Sequence, residues 1–472
     1  MTERCLEIKE KFEWKPFLCS LCAIVFPIAA QNLLATTSTM IDTMMVASLG
    51  ELSVGALGLC SQYSNLMFSS YFGFVAGGML FYAQYWGAKD DRGIERAYGL
   101  TLTCMMTVAF IFGSMAIFAP NLIMKLYTDK TAIQEIGVEY LRIVGFAYIL
   151  QIFSMASSSL LRTTEKIKIP MIATIAGVAS NIFLNWVFIF GNLGIPALGI
   201  RGAAIATLIA AFINVAITLF LSLKANYTYL FHVKNHFSWN KNFVRTYFVK
   251  CFPILMNEIL IGVGNMVINI TLGRQNEKVI AAIAVFRTLE GLIIGFFAGF
   301  SNAGSILVGS CIGAGELRKA YERAKRLVYL CSGVILLVNV ILLILHNPIL
   351  RSMSLHDESL NIGTVLLSIF AVVSVIRMGF WIHNDTFRAS GETVYGTVLE
   401  LSCMYFVVLP CVILSGFIFK LPYWAVFTAC YIDEPFRYFM MQRHLYSGKW
   451  VKPVTEQGKA ALPAFQKEMG II

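Results

Sequence analysis

The chain has 472 residues, 57% of them hydrophobic and only 14% charged, with a mean hydropathy of +0.70. Soluble domains carry about 25% charged residues, so an assembly of soluble domains is excluded. The formal net charge of +10 does not point to nucleic acid, because the basic residues sit in short connections between long apolar runs. A helix needs roughly 20 apolar residues to cross the hydrocarbon core, where every backbone polar group must be satisfied internally. The runs have that length. The chain reads as an all-α integral membrane protein whose bulk partner is the lipid bilayer.

Twelve spans are expected. The first, 17–48, is too long for a signal-peptide core and lacks a cleavage site, so it reads as a retained helix. It carries Cys19 and Cys22 as a C-x-x-C, but with no second pair and no nearby His these read as small packing residues, like the other scattered cysteines. Spans follow at 53–85, 96–119, 134–160, 168–191 and 199–223. A polar stretch, 226–243, is the only sizeable internal linker. The series resumes at 244–273, 279–311, 324–346, 359–386, 394–419 and 423–441, and the tail after Trp450 is polar and expected to be loosely ordered. Most of the 37 Lys and Arg fall in the N-terminus, the even-numbered connections and the C-terminus. By the positive-inside rule both termini are expected in the cytoplasm.

A duplication organises the series. Shifted by 226 residues, Phe26-Pro27-Ile28 falls on Phe252-Pro253-Ile254, Gly73-Phe74 on Gly299-Phe300, and Gly87-Ala88 on Gly313-Ala314. Arg162 meets Arg388 and Pro196 meets Pro422 at the same shift. Six spans per half is even, so the halves cross the bilayer in the same sense. The expected architecture is two six-helix lobes related by a pseudo-two-fold axis along the membrane normal. The domains are 1–225 as the N-terminal lobe, 226–243 as the cytoplasmic linker, 244–450 as the C-terminal lobe and 451–472 as the tail. Two similar bundles can rock about a central site, which favours transport over catalysis or signalling.

Several blocks carry a family resemblance: FPIAAQNLLATTSTMIDTMMVASLG, AQYWGAKDDRGIERA, LRTTEKIKIPMIATIAGVASNIFLNWVFIFGNLGIPALGIRGAAIAT, FRASGET and IDEPFRYFMMQRHLYSGKW. Together they resemble the multidrug and toxic compound extrusion (MATE) family in order and over nearly the whole chain. The resemblance implies a V-shaped twelve-helix transporter of bacterial plasma membranes. It also implies export of cationic or amphipathic compounds driven by inward flow of H+ or Na+.

Ionisable groups within a bilayer are costly and mark function by default. Glu139 with Arg142, Arg287 with Glu290, Asp385 with Arg388, and Glu434 with Arg437 are spaced i,i+3 and are expected to neutralise each other locally. Arg287 and Glu290 lie deep enough to border a cavity as well. Asp42, Glu258, Arg377 and Glu400 have no evident local partner. Asp42 lies toward the far end of the first span, in the half of the bilayer away from the N-terminus. It matches the family's first-helix aspartate for ion coupling, and a poorly hydrated carboxylate there can take up a proton or a dehydrated Na+. Asn181 and Asn185 share one face of the fifth span through i,i+4 spacing, and Thr207 of the sixth is expected to join them. The alternative for the two asparagines is simple helix bridging.

Glu258 matches a seventh-helix glutamate that some sodium-coupled relatives use with a tenth-helix aspartate. Arg377 stands in that aspartate's place, so a Glu258–Arg377 pair is expected to line the second lobe. Glu400 is expected to reach toward the cytoplasm, and His383 reads as a hydrogen-bonded packing residue. Pro27 and Pro253 each remove one backbone hydrogen bond at equivalent positions and permit a kink. Twenty Met and 13% aromatic residues suit an adaptable apolar cavity. The sequence lacks H-E-x-x-H, Walker A and Cys/His clusters, so no enzyme, no cofactor and no metal beyond a possible Na+ at Asp42 is expected. The function expected is secondary antiport by a monomer. A lipid-linked oligosaccharide flippase, or a non-transporting receptor or enzyme, is the alternative.

Overall fold

The computed structural model describes residues 12–353 and 357–471, so the basic residues Arg4, Lys9 and Lys11 lie outside it. Among the described residues, eleven helices have the length and apolarity to cross a membrane. They are α1 (Trp14–Ala47), α2 (Glu51–Gly87), α3 (Asp91–Phe118), α4 (Thr131–Thr163), α5 (Lys168–Phe190), α6 (Ile200–Lys224), α7 (Lys241–Leu272), α8 (Glu277–Gly313), α9 (Leu317–Ile344), α10 (Asp357–Ser390) and α11 (Val394–Ile418). Asp90, Asn240 and Asn276 cap α3, α7 and α8 by accepting from Gly93, Phe243 and Val279 backbone amides, as short polar side chains at N-caps do. Helices α1 and α7 run unbroken through Pro27 and Pro253.

The twelfth span is interrupted: α12 (Tyr423–Ala429) and α13 (Glu434–Ser447) are separate helices. The cause is local. Pro435 sits in the first turn of α13, where its missing N–H costs nothing, and Glu434 complements the helix N-terminal dipole. Helix α11 is also irregular, with π-helical turns at Met404–Val408 and Leu414–Ile418 on either side of Pro410.

The pseudo-two-fold shows in reciprocal contacts between helices. A Cβ on Gly87 would lie 1.9 Å from the Ser310 carbonyl oxygen, and one on Gly313 would lie 1.9 Å from the Gln84 carbonyl oxygen. Gln84 and Ser310 are themselves related by the repeat. Deeper along the same seam, Gly73 abuts Leu255 while Gly299 abuts Val25 and Ala29. Residue i touches j and the mate of j touches the mate of i, as an isologous interface requires. These contacts involve the halves of α1, α2, α7 and α8 nearer the chain termini. Toward the opposite ends of α1 and α7, Met44 is 71% and Met266 64% exposed, while Val46 and Ile268 are buried on other faces of the same turns.

The tail is ordered, contrary to the expectation from its polarity. Trp450 is fully buried, and its carbonyl accepts from Ser390 Oγ at 2.6 Å. The Val454 amide donates to Gln84 Oε1 at 2.7 Å, while Gln84 Nε2 donates to the Ala389 carbonyl at 2.9 Å. Thr455 Oγ1 donates to the Gly313 carbonyl at 2.9 Å and caps a terminal helix, α14 (Glu456–Glu468). The segment therefore straps the ends of α2, α8 and α10 together. The linker is likewise docked: Asn235 donates to Glu95 at 2.6 Å, His232 pairs with the same carboxylate, and the His236 carbonyl fills the space left by Gly99 on α3.

Adding a methyl at the seam should cost about 1–3 kcal/mol through overpacking. Gly313→Ala and Gly87→Ala are expected to lower the thermal unfolding midpoint of purified protein, whereas Gly333→Ala on α9, which meets no atom within 4 Å, should not. The strap also carries a pH dependence. Burial pushes the Glu392 carboxyl up, but the Lys452 ion pair and the Val394 and Tyr395 amides outweigh it, leaving Glu392 below its ordinary value of 4.5. Its contribution is present above that value and lost as pH falls through the depressed one. Protection of the Val451–Val454 amides from hydrogen exchange, corrected for intrinsic rate, should hold from about pH 7 to 5 and fall below about 4.5, and Lys452→Ala should remove the transition.

Candidate functional site

Two polar sites lie inside the helices, one in each half of the chain. The first gathers around Asp42 in the last turns of α1. Asn185 on α5 donates to Asp42 Oδ1 at 2.6 Å. With its amide nitrogen turned toward the carboxylate, Asn181 donates at 2.7 and 3.2 Å to the two oxygens. The i,i+4 spacing thus delivers both amides to one carboxylate, and both are buried, at 6% and 1% exposure. Asn185 Oδ1 is buried without a donor, so the pocket retains an acceptor beside a negative charge. Among the described residues no cation pairs with Asp42. Thr207 donates to its own Ala203 carbonyl at 2.9 Å and meets Asp42 only through Tyr140 of α4, whose hydroxyl bonds Thr207 and lies within electrostatic reach of Asp42. Tyr140 was not legible from its neighbourhood, since an aromatic on an apolar helix carries no distinguishing pattern.

The second site is ionic. Glu290 on α8 receives Arg287 at 2.6 Å and Arg377 at 2.8 Å, with the Tyr431 hydroxyl donating to it at 3.4 Å. Arg377 also reaches Glu434 at 3.7 Å. The expected Glu258–Arg377 pair is therefore not formed. Glu258 pairs instead with Arg388 at 3.3 Å, which keeps its local partner Asp385 at 3.5 Å. The interrupted twelfth span explains the exchange: its break presents Asp433 and Glu434 to the interior, and Glu434 joins Glu290 in holding Arg377. Arg437 binds Asp433 at 2.7 Å, Glu434 at 2.7 Å and Glu400 at 3.5 Å.

Glu400 does not extend to the aqueous phase as expected. Asn257 and Asn384 donate to it at 2.9 and 3.3 Å, and it lines a cavity of about 140 Å³ with Arg287, Arg377, Glu434 and Arg437. Of the local pairs, Glu139 also departs from expectation, binding Arg201 of α6 at 2.5 Å rather than Arg142. His383 behaves as a packing residue, engaged by the Gly379 carbonyl at 2.6 Å and Gln442 at 2.7 Å. Four guanidiniums (Arg287, Arg377, Arg388, Arg437) face six carboxylates (Glu258, Glu290, Asp385, Glu400, Asp433, Glu434), so this lobe is not a cationic chamber. Asp433 Oδ1 and Glu434 Oε2 are buried without partners.

The sequence pattern of the MatE family matches residues 27–187 and again 253–413, at the offset of the internal repeat. The chain belongs to the MatE family. Members of this family are membrane transporters of small molecules, and the chain is accordingly a multi-pass membrane protein. It is 21% identical to the uncharacterized transporter YisQ of Bacillus subtilis, over 92% of this chain and 95% of the relative. It is equally 21% identical to a probable multidrug resistance protein NorM of Thermotoga maritima, covering 92% and 93%. Among solved structures, a mutant of the Vibrio cholerae MATE transporter VcmN superposes with a TM-score of 0.82 at 16% identity, over 93% of this chain and 99% of that one. A transporter of Pyrococcus furiosus, described as having a binding pocket of reversed polarity, superposes at 0.78 with 18% identity over 91% and 96%. These structures share the MatE fold.

Removing one member of the ionic cluster strands its partners in a buried setting, at a cost of about 3–5 kcal/mol. Arg377→Gln should lower the unfolding midpoint of the purified protein, and Glu290→Gln added to it should recover part of the loss.

Proposed function

We propose that this MatE-family chain is an antiporter that exports cationic or amphipathic organic compounds in exchange for an inward-moving ion. The single observation carrying this reading is the Asp42 pocket: a carboxylate in the last turns of α1, held by two buried amides and without a countercharge among the described residues. A charge so placed is expensive unless it exchanges its neutralising cation. A proton is the favoured coupling ion, because one carboxylate with neutral amides provides a single negative charge, which one proton cancels. Na+ is the alternative, supported by the unpartnered Asn185 oxygen.

The basic-residue bias supports cytoplasmic termini, and on that orientation the seam closes the cytoplasmic side while Asp42 faces outward. The lobes 1–225 and 244–450 are then the rocking units, with 226–243 and 451–472 on the cytoplasmic side. Cation uptake at Asp42 weakens the hold on a cationic cargo and releases it outside, and the lobes return inward carrying the ion. The excess of carboxylates in the C-terminal lobe favours cationic cargo and speaks against a flippase for anionic lipid-linked sugars.

Asp42→Asn is expected to abolish dye efflux in a pump-deficient host while leaving membrane insertion and thermal stability near those of the parent. In proteoliposomes, a pH gradient alone should drive uptake of a cationic dye, and a Na+ gradient at equal pH should not. Efflux by Asp42→Asn at the parental rate would remove the basis of this reading.

A further inference from the structure

The repeat allows every charge in one half to be compared with its mate, and one comparison fails to balance. Arg388 is neutralised twice, by Glu258 on α7 and by Asp385 one turn earlier on α10. Shifted by 226 residues, these three become Arg162, Asn32 and Ser159. The register holds in space as well as in sequence. Next to Glu258, Asn257 donates to Glu400 at 2.9 Å, and next to Asn32, Gln31 donates to the mate of Glu400, Thr174, at 3.0 Å. The positions that hold carboxylates around Arg388 therefore hold neutral groups around Arg162. Both groups are occupied elsewhere: Asn32 donates to the Gly295 carbonyl at 3.1 Å, and Ser159 to the Ala156 carbonyl at 2.8 Å.

Arg162 has no ion pair and no side-chain hydrogen bond among the described residues. Its Nε is sealed from solvent without an acceptor, and its terminal nitrogens remain open. Arg388 also leaves Nε unbonded, but both of its terminal nitrogens are engaged. Glu165 follows Arg162 by one turn yet is exposed and makes no pair with it. A guanidinium partly withdrawn from water without a countercharge is costly. Its planar fork of donors matches oxyanions two oxygens at a time.

We propose that the N-terminal lobe contains an anion subsite at Arg162 that takes a phosphate or carboxylate oxyanion in the place that Glu258 and Asp385 fill in the other lobe. The oxyanion comes either from solution or from the headgroup of an acidic lipid. The subsite stands apart from the Asp42 pocket and supplies the countercharge that the chain omits.

The test uses full-length protein and two probes. Thermal unfolding is followed in detergent with inorganic phosphate against chloride at matched ionic strength, and in nanodiscs of phosphatidylglycerol against phosphatidylcholine. A saturable rise in midpoint with phosphate assigns the dissolved source; a rise only with phosphatidylglycerol assigns the lipid headgroup. Arg162→Gln should weaken either response about ten- to hundredfold in Kd, the loss expected for charge-assisted hydrogen bonds. It should also unfold at a higher temperature than the parent in phosphate-free phosphatidylcholine, because it removes an unpaired, half-buried charge. Ser159→Asp, which rebuilds the Asp385–Arg388 arrangement and keeps the cation, should abolish the response while preserving the fold, and Arg162→Lys should retain a weakened one. The proposal is overturned if neither probe stabilises the parent, or if Ser159→Asp responds as the parent does. Should Arg162→Gln not fold, Ser159→Asp and Arg162→Lys decide.

Discussion

The close approach of α2 and α8 governs the rest of the structure. Gly87 and Gly313 let each helix rest on the other's backbone carbonyl, a distance that no side chain tolerates. Small residues at helix crossings are how membrane helices gain contact when lipid offers no hydrophobic reward for association. Here the two crossings are mates in a duplicated sequence, so one contact specifies the other and the axis between the halves follows. The same approach fixes which ends of the bundle meet, and it leaves Asp42 on the part of α1 away from the seam.

On this symmetric frame the chemistry is not symmetric. The mate of Asp42 is Ile268, and the mates of Glu290, Arg377, Glu400 and Asp433 are Ser64, Gln151, Thr174 and Thr207. The two halves keep their backbone correspondence and have separated their charges almost completely. One lobe holds Asp42 and Arg162 without countercharges among the described residues; the other carries a dense network that largely satisfies itself. A fold built by duplication can thus carry different buried charges in its two copies, since buried charges answer to their immediate partners.

Much of the architecture was legible because hydropathy and the repeat are long-range signals. Eleven spans appeared as single helices near the expected bounds, and Asn181 and Asn185 met Asp42 because i,i+4 spacing leaves little freedom about facing. What could not be read were choices among partners. Glu258, Arg377 and Glu400 all lacked a local mate, and which guanidinium reached which carboxylate depended on the break before Pro435, a backbone event that hydropathy hides. Glu139 chose Arg201 over its helical neighbour because α6 lies alongside. The tail looked mobile because it is polar, yet its backbone groups found acceptors and donors on Gln84, Ser390 and Gly313, which only the assembled bundle supplies.

The docked linker sets a mechanical limit. Because its short helix Val233–His236 is fastened to α3 and α7 begins at Lys241, only residues 237–240 connect the halves on that face. Four residues reach about 14 Å when fully extended. The covalent tether therefore acts as a leash, stopping the halves from parting beyond that reach unless Glu95 first lets go of His232 and Asn235.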